Sequence, residues 1–218
     1  MSENHLLPNG RVLRYTFRER VVHWLAGISY VYLLVTGLAF WSPWIFWLSV
    51  IVGGATISRM LHPWAGLIFV IAVVWMYRMW NKQMRRTDLD KQWWQAVGAY
   101  ARNEDDAVPT AARFNGGQKL LFWGFFWCGI ALLLSGLVLW FTDSLPWSLR
   151  FLRYLAVIVH PVAALLTIGL FMIHVYMGVV SERGAFRSVI RGDVSRWFAQ
   201  RYHRVWYDEI VRESASRK

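Results

Sequence analysis

The chain has 218 residues, is 56% hydrophobic and only 17% charged, and carries 15 Trp with a net charge of +11. That balance is too apolar for an ordinary soluble domain and too uncharged for a disordered one. Its basic residues lie between long apolar runs instead of forming one basic domain, which points to a membrane surface and argues against nucleic acid as a partner.

Residues 1–20 are polar and basic, and the apolar run after them lacks the short core and small-residue cleavage site of a secretory signal, so it reads as an uncleaved membrane helix. Crossing a hydrocarbon core takes about 20 apolar residues in helix. Four segments meet that length: residues 21–41, 61–80, 119–141 and 152–180. The apolar stretch 44–57, bounded by Pro43 and Gly53-Gly54, is too short to span and reads as re-entrant or interfacial; a fifth span is the main competitor to this topology. The expected fold is an all-α membrane protein: one domain over 1–218, a four-transmembrane-helix bundle with cytoplasmic amphipathic segments and a tail at 181–218.

Lys and Arg number four in residues 1–20, eight in 78–119 and nine in 181–218, so 21 of the 24 fall on one side of a four-span arrangement. The positive-inside rule makes that side cytoplasmic, with both termini inside. Two polar segments are amphipathic by helical spacing: Trp93, Trp94, Val97 and Tyr100 in the middle connection, and Val194, Trp197, Phe198, Tyr202, Val205, Trp206 and Ile210 in the tail. Both are expected to lie along the cytoplasmic interface.

Four of the six histidines sit in the apolar segments: His23, His62, His160 and His174. Ionisable side chains inside a bilayer are costly and mark functional sites. His62 and His160 each stand near the outer end of an inward-running span and each precede proline, whose missing N–H is best tolerated in a first turn. His174 lies 14 residues past His160, about 21 Å along a helix and about 40° around it, at the inner level where the first span begins with His23. The natural pairs are His62 with His160, outer, and His23 with His174, inner. Gly27, Gly66 and Gly178 follow three of these histidines at i+4, and Ala164 the fourth, leaving room on the same helix face for a flat macrocycle that zinc would not need. Two haems held by paired imidazoles are therefore the expected cofactors. The single cysteine, Cys128, argues against iron–sulfur or structural zinc sites within the chain. No C-x-x-C-H sequence occurs, so the haems would be b-type. His5 and His203, in polar tails, are expected to be solvated. Arg59 for the outer haem, and Arg18 or Arg20 for the inner one, are candidate propionate partners or headgroup anchors.

The segment Phe114-Asn115-Gly116-Gly117-Gln118-Lys119 precedes the third span. By composition, Asn-Gly-Gly reads as a turn capping that helix, while the Asn115 amide also suits a carbonyl ligand.

Tyr15, Phe17, Arg20, His23 and Trp24, then Arg59 to Gly66 with its L-H-P core, Phe114 to Lys119, and His174 to Met177 together resemble the cytochrome b556 gamma subunits of respiratory formate dehydrogenases. The similarity runs over nearly the whole chain and reaches Gly192, Val194, Ser195, Trp197, Trp206 and Tyr207 in the tail. Pro161 departs from the family pattern, where a small non-proline residue is expected, and suggests a locally altered outer pocket. The resemblance implies a subunit of the bacterial inner membrane in anaerobic respiration. It would take electrons from a periplasmic iron–sulfur beta subunit, itself fed by a catalytic alpha subunit, and pass them through two b haems to a quinone, menaquinone or ubiquinone, near the cytoplasmic side. Asn115 and Gly117 would border the quinone, and the assembly would be a trimer of heterotrimers. The competing readings are a cytochrome b subunit of a thiosulfate reductase or hydrogenase, a histidine-dependent metal or proton transporter, and a bare membrane anchor.

Overall fold

A computed structural model describes residues 5–102, 104 and 107–216. In chain order the elements are strand β1 (Arg11–Leu13), helix α1 (Phe17–Trp41), short α2 (Leu48–Ile51), α3 (Ala55–Trp80), α4 (Asp88–Gln95), α5 (Val97–Ala101), α6 (Gly116–Trp140), α7 (Phe151–Tyr176), α8 (Ala185–Arg191), strand β2 (Asp193–Ser195), α9 (Arg196–Tyr202) and α10 (Arg204–Ala215). Among the described residues four helices are long and apolar enough to cross a membrane, so the chain is an all-α membrane protein. Their outer faces stay apolar and exposed. In the third, only 11% of the apolar span is covered by protein, as lipid-facing helices require.

The helices begin earlier than the hydropathy pattern predicts. The stretch after α1 forms a 3-10 turn at Pro43–Ile45, then α2, and is closed by Gly53 and Gly54 at φ +98° and +91°. Two successive left-handed residues reverse the chain there, and only glycine adopts them without steric cost. Consequently α3 starts at Ala55, and Pro63 lies in its interior, as Pro161 does in α7, instead of in a first turn.

The chain divides into two compact units. The first comprises Val21–Met79 and Trp123–Met172 and holds the central portions of the four long helices. Tyr30 of α1 is its hub: its ring meets Phe69 of α3, Phe125 of α6 and Phe171 of α7 at centroid distances of 5.8, 5.7 and 5.0 Å. Its hydroxyl reaches Thr167 Oγ1 at 3.3 Å, giving the buried phenol a polar partner.

The second unit comprises Met1–Arg20, Trp80–Phe122 and Ile173–Lys218. Here β1 pairs antiparallel with β2, Val12 opposite Val194. The tail forms a small core of Val12, Val194, Phe198, Ala199, Trp206 and Ile210. This corrects the expectation that the tail's apolar stripe lies along the membrane interface. Val194 is in a strand, and Phe198, Trp206 and Ile210 are turned into protein, while Trp197 alone of the bulky set stays broadly exposed. Gly192 allows this arrangement: at φ +90° it ends α8, its carbonyl accepts the Arg14 and Tyr15 N–H groups, and a Cβ there would meet Tyr15 O at 2.6 Å.

His203 is also not solvated. It is fully buried beside Phe198 and Trp206, its Nδ1 at 2.7 Å from Ala112 O. Burial, then the nearby Arg14 guanidinium, hold its pKa well below the ordinary histidine value. The reason is local: His203 sits at the break between α9 and α10, and both helices direct their apolar faces at it.

Two buried carboxylates in this unit are paired with cations. Glu19 caps α1 through a reciprocal Thr16–Glu19 box and accepts from Trp80 Nε1 and from Arg113 at 2.8 Å. Lys119 and Asp90 form a buried ion pair at 2.7 Å.

Candidate functional site

The four long helices build the His62–His160 pair. His62 is on α3 and His160 on α7, and their ring centroids stand 6.4 Å apart in the first unit. Two imidazoles bound through nitrogen on opposite sides of one metal ion, at about 2.0 Å each, place their centroids roughly 6 Å apart. The spacing matches. Each ring is held from behind: His62 Nδ1 lies 2.6 Å from Thr36 Oγ1 of α1, and His160 Nδ1 lies 3.0 Å from Ser135 Oγ of α6. That leaves Nε2 of both rings for a ligand. Phe40 packs edge-on against His62 at 5.5 Å.

The donor set suits haem. Among the described residues no three of His, Cys, Asp and Glu gather into a site for a bare metal ion. Two imidazoles complete a six-coordinate sphere when the other four donors come from a macrocycle. The backbone also leaves space: a Cβ at Gly27 or Gly178 would meet nothing within 4 Å, and one at Gly66 only Leu33 Cδ2 at 3.9 Å. Gly37 and Gly136 matter differently. A Cβ on Gly37 would stand in ordinary contact with His62 Cε1 at 3.7 Å, whereas one on Gly136 would crowd His160 Cε1 at 3.2 Å, so Gly136 makes room for the ring itself.

His23 is half-buried on α1, its ring 5.8 Å from that of Trp24, and His174 is near the end of α7. They belong to different compact units. Of the arginine candidates, Arg18 and Arg59 are exposed, and Arg20 donates to Ile190 O at 2.6 Å.

The Phe114–Lys119 segment is structured residue by residue. Asn115 Oδ1 accepts the Gln118 N–H at 2.8 Å and Gln118 Oε1 accepts the Asn115 N–H at 3.1 Å, a reciprocal cap on α6. Asn115 Nδ2 donates to Glu182 Oε1 at 3.3 Å, and the Tyr100 hydroxyl donates to the same oxygen at 2.6 Å. Burial first, and then the Glu182 charge, raise the Tyr100 pKa. Gly116 and Gly117 lie under Trp93, whose ring a Cβ on either would meet at 2.8 Å. The capping reading is thus present in full, and the amide of Asn115 is also engaged by Glu182 and by the Tyr100 side chain.

Sequence reasoning missed Thr36, Gly37, Ser135 and Gly136, although a signal exists. Leu33–Trp41 reads LLVTGLAFW and Leu132–Trp140 reads LLLSGLVLW, each on the helix preceding an H-P-bearing helix.

The sequence pattern of the family described as prokaryotic cytochrome b561 matches residues 14–192. The chain is 31% identical over 209 residues to the formate dehydrogenase cytochrome b556(fdo) subunit of Escherichia coli K12, covering 95% of this chain and 96% of that protein. It is 27% identical over 210 residues to the nitrate-inducible cytochrome b556(Fdn) subunit of the same organism, with 95% of both chains covered. The formate dehydrogenase cytochrome b556 subunit of Haemophilus influenzae is 28% identical over 213 residues, covering 97% of this chain and 88% of that one. The chain, with its four membrane helices and facing imidazoles, belongs to the prokaryotic cytochrome b561 family, whose cofactor is haem b.

Proposed function

We propose that this chain is the membrane cytochrome b subunit of a formate dehydrogenase, passing electrons from a periplasmic iron–sulfur subunit to quinone. The observation that carries the reading is the His62–His160 pair at 6.4 Å, set in a chain that aligns with cytochrome b556 subunits almost end to end. Haem b, when bound, supplies one-electron transfer through the membrane. His62 and His160 hold the outer haem, and Thr36 and Ser135 orient their rings. His23 and His174 hold the inner haem, a pairing that rests on the spacing of the sequence. His160 and His174, 14 residues apart on one helix, separate the two levels by about 21 Å. That distance carries charge across most of a hydrocarbon core about 30 Å thick.

Asn115 and Gly117 border the quinone site at the cytoplasmic level, where protons enter from the cytoplasm. Formate itself does not bind here, since its oxidation belongs to a catalytic subunit reached through the iron–sulfur partner. The subunit resides in the bacterial inner membrane with both termini inside, as the 21 cytoplasm-facing basic residues favour, in a trimer of heterotrimers.

The test is a reduced-minus-oxidised spectrum with haem quantitation on the detergent-solubilised protein, repeated for His62→Ala and His174→Ala. About two b haems per chain, one lost in each variant, is the expected result. A folded wild-type protein without haem absorption overturns the reading.

A further inference from the structure

Each outer imidazole is backed by a hydroxyl whose own proton is already engaged. Thr36 Oγ1 lies 2.8 Å from Tyr32 O and 3.2 Å from Leu33 O, and Ser135 Oγ lies 2.6 Å from Ala131 O. A hydroxyl has one proton, and in a helix interior Ser and Thr direct it to the carbonyl one turn back. With that proton committed, the short contacts to His62 Nδ1 and His160 Nδ1 require the ring to donate and the hydroxyl to accept. Both residues are buried, so no bulk water competes for either role.

We infer that Thr36 and Ser135 are positioning residues that fix His62 and His160 as Nδ1–H tautomers, presenting Nε2 lone pairs to the iron and raising the donor strength of both imidazoles. The inference rests on the haem reading above. Orientation of a ligating histidine through its second nitrogen is the general means by which proteins tune metal sites. Here the means is duplicated: the T-G and S-G dipeptides occupy the same place in the LLVTGLAFW and LLLSGLVLW segments, each facing a His-Pro on the following long helix. The hydroxyl holds the ring from behind, and at Ser135 the neighbouring Gly136 clears the ring edge. A ligand that donates more strongly favours ferric over ferrous iron, so the pair of hydroxyls lowers the potential of the outer haem relative to an outer haem without them.

The test is an optical redox titration of both haems in the purified complex, with low-temperature electron paramagnetic resonance of the ferric state, for Thr36→Val, Thr36→Ser, Ser135→Ala and Ser135→Thr. Thr36→Val and Ser135→Ala each remove one hydrogen bond, which shifts the ferric/ferrous equilibrium of one haem about three- to tenfold toward ferrous. At about 59 mV per decade for one electron, that is a rise of roughly 30 to 60 mV. The other haem keeps its potential, and Thr36→Ser and Ser135→Thr return the wild-type values. Loss of the outer haem in Thr36→Val with retention in Thr36→Ser supports the same role. Unchanged potentials and ferric spectra in both Thr36→Val and Ser135→Ala, where His62→Ala does lose one haem, overturn the inference alone. If His62→Ala keeps both haems, the ligand assignment fails and this inference falls with it.

Discussion

Gly37 and Gly136 occupy equivalent places beside the two outer histidines, yet they have unequal room, and alanine at each should separate steric from conformational effects. Replacing glycine by alanine within a helix favours the helix by about 0.5–1 kcal/mol. At Gly37 the new Cβ meets His62 Cε1 at 3.7 Å, an ordinary contact, so Gly37→Ala should be neutral or mildly stabilising. At Gly136 it meets His160 Cε1 at 3.2 Å and Nδ1 at 3.6 Å, so the ring must retreat by a few tenths of an ångström. That ring is tied to Ser135 on the adjacent residue and cannot move without lengthening a 3.0 Å hydrogen bond. Overpacking of this kind costs about 1–3 kcal/mol. Set against the helix gain, the net is roughly 1 kcal/mol against the haem-ready geometry, several-fold to about tenfold in haem retention. The assay is haem per chain after dilution into haem-free detergent, read from the reduced spectrum. Gly136→Ala should lose the outer haem faster than wild type, and Gly37→Ala should match wild type. Equal retention in Gly136→Ala and wild type, or loss confined to Gly37→Ala, would refute the steric argument.

Other consequences are open to direct measurement. Lys119→Met leaves the buried Asp90 carboxylate with only its Thr87 donors and should cost up to about 3–5 kcal/mol, seen as a drop in thermal midpoint, whereas Asp90→Leu/Lys119→Met together should recover only part of it, because that variant also loses the Thr87–Asp90 cap on α4. Tyr100→Phe deprives the buried Glu182 carboxylate of its 2.6 Å donor and should destabilise by about 1–3 kcal/mol, with equal midpoints in the two proteins counting against this network. His203 has a pKa well below its ordinary value in the folded state, so unfolding takes up a proton once the pH falls below about 6.5, the unfolded value. Its contribution to stability is complete above that pH and declines by at most about 1.4 kcal/mol per unit as pH falls toward the folded pKa. His203→Gln should flatten the stability profile between roughly pH 6.5 and 5; a profile identical to wild type would show that the buried ring does not set it.

Periodicity and composition already carry the membrane helices. Runs of apolar residues long enough to cross a bilayer specify four helices, because a backbone in lipid must satisfy its own hydrogen bonds. The placing of His62 and His160 at matching levels in the first halves of their spans follows from counting residues along those helices, and the structure brings the two rings together. The turn before α6 was equally legible, since an Asn followed three residues later by Gln is a local capping signal, and Asn115 and Gln118 cap each other. Other features depend on contacts between distant segments. The pairing of Val12 with Val194 joins residues 182 positions apart, which no local pattern announces. His203 and the tail aromatics look amphipathic in sequence, but another part of the chain covers them and takes the place of lipid or water. Thr36 and Ser135 look like ordinary small polar residues in apolar helices until a histidine from the next long helix arrives within hydrogen-bonding distance. A helix's own spacing fixes which residues share its face, but the identity of what packs against that face is set by side chains distant in sequence, and that is why the candidate histidines were readable from the sequence and the hydroxyls that meet His62 and His160 were not.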